Sequence, residues 1–113
     1  MNNHKRGDIW WIRLDPAIGV EAAKTRACLI LQNDFGNKAS KITTIVPFLA
    51  TKNYSFVVNV QPSSGNGLDR ERGLHFNQIR SIDNSRVESK LGVLEDIYWQ
   101  EIKNAIDIQL GFY

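Results

Sequence analysis

Closely spaced short strands and one helix-period run at the C-terminal end predict a mainly β fold closed by a C-terminal helix. A third observation sets its centre: Ala27 to Leu31 is a short, wholly apolar run, the pattern of a strand buried on both faces. Arg26 stands at the front of that run, and a guanidinium there cannot be buried cheaply without a partner. Asn33-Asp34-Phe35-Gly36-Asn37 supplies turn residues at its back. Such a strand would deliver a fixed positive charge to the mouth of a loop. With 113 residues, one domain spanning 1–113 with a single core is expected.

The elements follow in order. Gly7-Asp8 opens a strand over Ile9–Leu14, and Asp15-Pro16 closes it, because Pro16 has no amide to donate. Residues 17–25 make a long connection in which Gly19 and the short length favour a mobile loop over a helical turn. Loops of this length in small domains are often functional. After the central strand, residues 35–41 read as a polar turn. Ile42–Leu49 is β-branched, with Pro47 suggesting an edge or a bulge. Tyr54–Gln61 alternates, with Phe56, Val58 and Val60 on one face. Residues 62–72 form the clearest loop, and Gly65-Asn66-Gly67 within it reads as a flexible turn. Leu74–Ile82 reads as one strand, and residues 87–93 as a last short one. From Leu94 onward Ile97, Tyr98, Ile102, Ala105, Ile106 and Leu110 recur at helical spacing; Glu95 and Asp96 suit the first turn and Gly111 the stop. The strands suggest a small twisted or barrel-like antiparallel sheet.

Composition removes several function classes. No apolar run reaches the roughly 18 residues a membrane span needs, and Met1–Gly7 lacks the apolar stretch of a secretory signal. Cys28 is the only cysteine; in an apolar run it reads as a core residue, and a cytoplasmic protein is expected. His4 and His75 are the only histidines and lie far apart, so no zinc site is expected. Neither a phosphate-binding Gly-Lys-Ser/Thr nor a Gly-x-Ser-x-Gly elbow occurs. The net charge of +2 is small but uneven, with eight Lys and Arg against four acids over residues 1–52, and six against eight over the rest. That balance permits a nucleic-acid partner without arguing for one.

Together, Arg6-Gly7-Asp8-Ile9-Trp10, Leu14-Asp15-Pro16, Gly19, Glu21, Thr25-Arg26, Cys28 to Asp34, Val46-Pro47 and Gln78-Ile79-Arg80-Ser81-Ile82-Asp83 resemble the MazF/PemK toxin family nearly end to end. The resemblance implies an SH3-like small barrel of the CcdB/PemK type. It implies a homodimer that cuts single-stranded RNA without metal or other cofactor. It also implies inhibition by a MazE-like antitoxin, with any operator DNA reached only through that antitoxin. Arg26 matches the family's catalytic arginine, and electrostatic stabilisation suits it better than base chemistry, since an arginine guanidinium stays charged in proteins. Without the resemblance, a surface arginine paired with Glu21 or Asp34 is the preferred reading; with it, the catalytic role is. The second family position is a threonine after the third strand. Counting from Val46-Pro47 places Ala50 there and Thr51 one residue late, so Thr51 is the candidate if a bulge restores its face. Members of the Kid type use a histidine, an arginine and an aspartate where this chain has Val20, His75 and Asn77. Lys24, Asn33, Glu21 and Gln78 are candidate RNA contacts, and Gln78 can also be a glutamine bonded to backbone. Trp10 and Trp11 must face opposite sides of their strand, one in the core and the other at a dimer interface or the C-terminal helix. A gyrase-binding poison of the same fold and a non-catalytic binder of RNA or antitoxin are the rival readings.

Overall fold

The computed structural model describes residues 3–113; Met1 and Asn2, part of the stretch read as lacking a leader, lie outside the described residues. The chain runs through β1 (Asp8–Arg13), β2 (Thr25–Ile30), a short helix α1 (Asp34–Ala39), β3 (Ile42–Leu49), β4 (Val57–Val60), β5 (Arg72–His75), β6 (Arg80–Asp83), β7 (Val87–Val93) and the C-terminal helix α2 (Trp99–Leu110). The strands pair antiparallel in the order β4-β5-β3-β2-β1-β7, with β6 also on β3. The mainly β class with a terminal helix is as expected. The sheet curls like a small barrel, but no pairing closes β4 onto β7 among the described residues.

β2 is central and two-sided. Alternation sends Leu29, with Ala27 beside it, into a core of Ile9, Val46, Phe48, Leu74, Phe76 and the α2 residues Ile102 and Ala105. Cys28 and Ile30 enter a second cluster with Ile12, Leu14, Ile45 and Ile82. Truncating a fully buried Leu29 to Ala would cost about 2–5 kcal/mol. Pro47 is tolerated inside this sheet for a local reason. On one side of β3 the partner is β6 up to Ile45 and β5 from Phe48, so Pro47 falls where the partner changes and no ladder bond is asked of its nitrogen.

Several boundaries differ from the sequence reading. The polar turn at 35–41 contains α1, which Asn33 caps by accepting from the Gly36 amide at 2.8 Å. Its lack of apolar periodicity hid it. The single strand expected over Leu74–Ile82 is broken by a 3₁₀ turn at Phe76–Gln78, which lets the chain leave β5 and rejoin β3 as β6. The alternating strand at Tyr54–Gln61 is regular only over Val57–Val60. α2 starts at Trp99 after a 3₁₀ turn, so Glu95 lies outside the helix and Ile97 and Leu110, expected on its apolar face, are exposed. Gly111 ends the helix in the left-handed region as expected, at φ +80°.

Residues 62–71 form the expected loop, with Arg72 already in β5, but Gly65-Asn66-Gly67 within it is tied down at several points. Asn66 is fully buried, and its side chain takes the Ser63 and Leu68 amides on Oδ1 and gives Nδ2 to the Gln61 carbonyl and to Glu95 Oε1. The Ser63 hydroxyl donates to Glu95 Oε2 at 2.5 Å. Gly67, at φ +74°, brings the loop against β7 so closely that a Cβ there would stand 2.4 Å from the Leu91 carbonyl oxygen.

Candidate functional site

Arg26 leaves β2 on the Cys28 side, as alternation requires. Its Nε donates to the Ala23 carbonyl at 3.2 Å. Neither Nη has a partner among the described residues, and no carboxylate pairs with it there. The carboxylates that could have neutralised it are committed elsewhere. Glu21 Oε1 accepts from the Ile18 amide at 2.7 Å. Asp34 Oδ1 accepts from the Arg6 amide at 2.7 Å and from Asn37, and these bonds hold its carboxyl below the ordinary carboxylate range. The reading of Arg26 as a paired surface arginine thus finds neither of its partners.

A second arginine shares this face. Arg80 pairs across β3 with Ile45, so it stands on the side of the second core cluster, and its Nη1 donates to the Leu14 carbonyl at 3.3 Å. Both guanidiniums act on the buried Cys28 thiol and pull its pKa down, but burial outweighs them and pushes it up to about 12. Cys28 is therefore an inert core thiol. Arg80 was quoted in the sequence only as part of a motif. Counting back from the apolar Ile82 by the strand period would have assigned its face.

The 17–25 connection folds over this end of the sheet and is tied at several points. Gln78, at the end of the 3₁₀ turn, accepts the Ala22 amide on Oε1 at 2.7 Å and donates Nε2 to the Val20 carbonyl at 3.2 Å. Lys24, at φ +66°, donates its amide to Asp15 Oδ1 and accepts from the Leu14 amide on its carbonyl. Its ammonium is exposed beside Arg26 in the chain. Thr51 lies past the end of β3, exposed and in irregular chain; the neighbouring Ala50 carbonyl is held by the His75 ring at 2.7 Å. Asn33 is the cap of α1, at the other end of β2 from Arg26. The structure thus brings Arg26, Lys24, Glu21 and Gln78 around one loop, with Thr51 past the end of β3 and Asn33 apart.

Arg26 also lines a cleft of about 310 Å³, with Trp11, Thr25, Phe48, Leu68 and Arg72 among others. Arg72 is already matched there by Asp69, through Nε and Nη2 at 3.1 and 2.9 Å. Trp11 reaches the cleft because Trp10 takes the opposite face, against the second cluster, with its Nε1 donating to Asp8 at 3.1 Å. Among the described residues no group of three or more His, Cys, Asp or Glu stands together as a metal site would require, and no helix is long and apolar enough to cross a membrane.

Residues 5–110 match the family model described as the PemK-like, MazF-like toxin of type II toxin–antitoxin systems. The chain belongs to that family. A MazF-like chain of this kind is 34% identical to a Staphylococcus saprophyticus protein named endoribonuclease MazF, over 96% of this chain and 92% of that one. Its fold matches MazF of Deinococcus radiodurans with a TM-score of 0.80 at 22% identity, covering 96% of both chains. It also matches a mycobacterial endoribonuclease solved in complex with its cognate antitoxin, with a TM-score of 0.78 at 18% identity over 97% of each chain. The MazF/PemK resemblance read from the motifs is thereby confirmed at the level of the family.

Proposed function

We propose that this protein is a sequence-specific, metal-independent endoribonuclease toxin that cuts single-stranded RNA by attack of the ribose 2′-hydroxyl. The observation that carries the reading is Arg26: a partly buried guanidinium, steadied through Nε, with both Nη groups free among the described residues and no carboxylate beside it. RNA holds its own nucleophile next to each phosphate, so proximity is already supplied. The 2′-oxygen bonds to phosphorus as its proton leaves. The phosphorane charge falls on the fork of Arg26, and the bond from phosphorus to the 5′-oxygen breaks as that oxygen gains a proton. The products are a 2′,3′-cyclic phosphate and a free 5′-hydroxyl. In this scheme the Thr51 hydroxyl donates to the same phosphate, while Lys24 and Glu21 meet the strand around it, and Asn33, at the far end of β2, takes no part in the step.

The similar staphylococcal protein named an endoribonuclease supports the activity. The antitoxin complex of the mycobacterial neighbour supports a MazE-like antitoxin as partner, through which any operator DNA would be reached. A homodimer working in the cytoplasm completes the proposal. Incubation of the pure protein with a long RNA in EDTA, followed by mapping of the new 5′ ends, should give cuts at one short sequence. Replacing Arg26 by Ala should lower the rate by about 10²–10³ with an unchanged melting curve. A 2′-deoxy residue at the cut site should block cleavage. Cutting that survives either change would refute the mechanism.

A further inference from the structure

Gln78 was expected to meet RNA, yet both ends of its amide are occupied by the backbone of the 17–25 loop. Its oxygen takes the amide of Ala22 and its nitrogen serves the carbonyl of Val20, residues 56 and 58 positions away in the chain. The next residue, Ala23, offers the carbonyl that orients Arg26 through Nε. We propose that Gln78 is a positioning residue: it latches the loop in the one conformation that puts the Ala23 carbonyl under the Arg26 guanidinium. This deepens the nuclease reading and rests on it for its catalytic consequence, but not for the latch itself.

The chemistry of the contact makes the latch selective. Ala22 presents only a donor and Val20 only an acceptor, so the side chain facing them must accept at one end and donate at the other. A primary amide of this length does both. The other ties of the loop act at its far end, where Asp15 and Leu14 bind the backbone of Lys24, or within the loop, where Glu21 meets Ile18. Neither replaces a bond between the loop and the 3₁₀ turn that carries Gln78. That turn is itself seated by the buried Phe76 and by the Phe76 amide on the Phe56 carbonyl at 3.0 Å, so the latch is anchored in the core.

Two variants and two readouts test this. Amide exchange over residues 17–25, measured without RNA, should rise at Ala22 in Gln78→Ala, with the melting temperature near that of the parent. Cleavage by the same variant should fall about 10- to 100-fold, as expected when a reacting group is misplaced by an ångström or so, and it should fall in kcat more than in KM. The cut sequence should stay the same. In Gln78→Glu an ionised carboxylate would face the Val20 carbonyl, whereas the protonated acid restores one donor and one acceptor. Its activity relative to the parent should therefore recover as pH is lowered through the carboxyl pKa. An altered cut sequence with unchanged exchange at Ala22 would make Gln78 a reader of bases and overturn the latch. Unchanged exchange with unchanged cleavage would overturn it as well. If the parent protein cuts no RNA, the nuclease reading fails, while the exchange measurement still decides the latch.

Discussion

Single residues carry strong commitments in this molecule. Lys24 holds a left-handed backbone without being glycine, which costs on the order of 1–2 kcal/mol. Lys24→Gly should therefore raise the melting temperature slightly while weakening RNA affinity, whereas Lys24→Val should lower it; thermal melts and a binding titration separate the two effects. Gly67→Ala pushes a Cβ into the Leu91 carbonyl and should destabilise by roughly 2–4 kcal/mol, read from a denaturant titration. Cys28 is fully buried with its thiol pushed up to about 12, so alkylating reagents should modify it only as fast as the protein opens. At this scale the sequence placed Arg26 at the edge of the central strand, because the apolar run that follows it is a strand pattern, while its catalytic role came from the family resemblance alone. It was a poor guide to Gln78 and Asn66. Gln78 is committed to backbone groups 56 and 58 residues away, and Asn66, besides its local bonds to Gln61, Ser63 and Leu68, is tied to the Glu95 side chain 29 residues on; no local pattern reports such contacts.

At the scale of elements, the knot between the 62–72 loop and the start of the C-terminal helix has a definite pH dependence. The Glu95 carboxyl is held below its ordinary range, chiefly by the Ser63 hydroxyl and also by Asn66, with burial opposing them. A depressed native pKa means that the knot contributes fully above the unfolded value of about 4.3 and loses its contribution as pH falls through the lower native value. The stability gap between the parent and Glu95→Gln should shrink as melts are taken from pH 7 down to pH 3. The strands Asp8–Arg13, Thr25–Ile30 and Ile42–Leu49 were legible because alternation and β-branching act locally. The break at Phe76–Gln78 was not, because the lapse of apolar alternation at Gln78-Ile79 does not by itself separate one irregular strand from two. Only the change of partner strand beside Pro47 demands it, and that is a property of the sheet. The short helix after Asn33 was missed for the opposite reason: its capping residues looked like turn residues, which they also are.

For the molecule as a whole, the resemblance to MazF-like toxins made the family and fold accessible from motifs alone, while the strand order and the loop ties needed the three-dimensional structure. Sedimentation of the pure protein should show a dimer, and cleavage should weaken as salt rises, as for any site that meets phosphates with cations. The double-sided central strand has one further consequence. Its odd-numbered side chains build one half of the interior, its even-numbered ones build the other, and Arg26 is next in the even count. A slip of a single residue would exchange Leu29 and Leu31 with Cys28 and Ile30 between the two clusters, spoiling the fit of each, and would put an alanine or a threonine in place of the arginine, so a misregistered chain loses packing and site together. Among random mutants selected for harmless expression in a host cell, missense changes should therefore crowd into Thr25–Leu31, with folding defects and active-site defects intermingled along the same few codons.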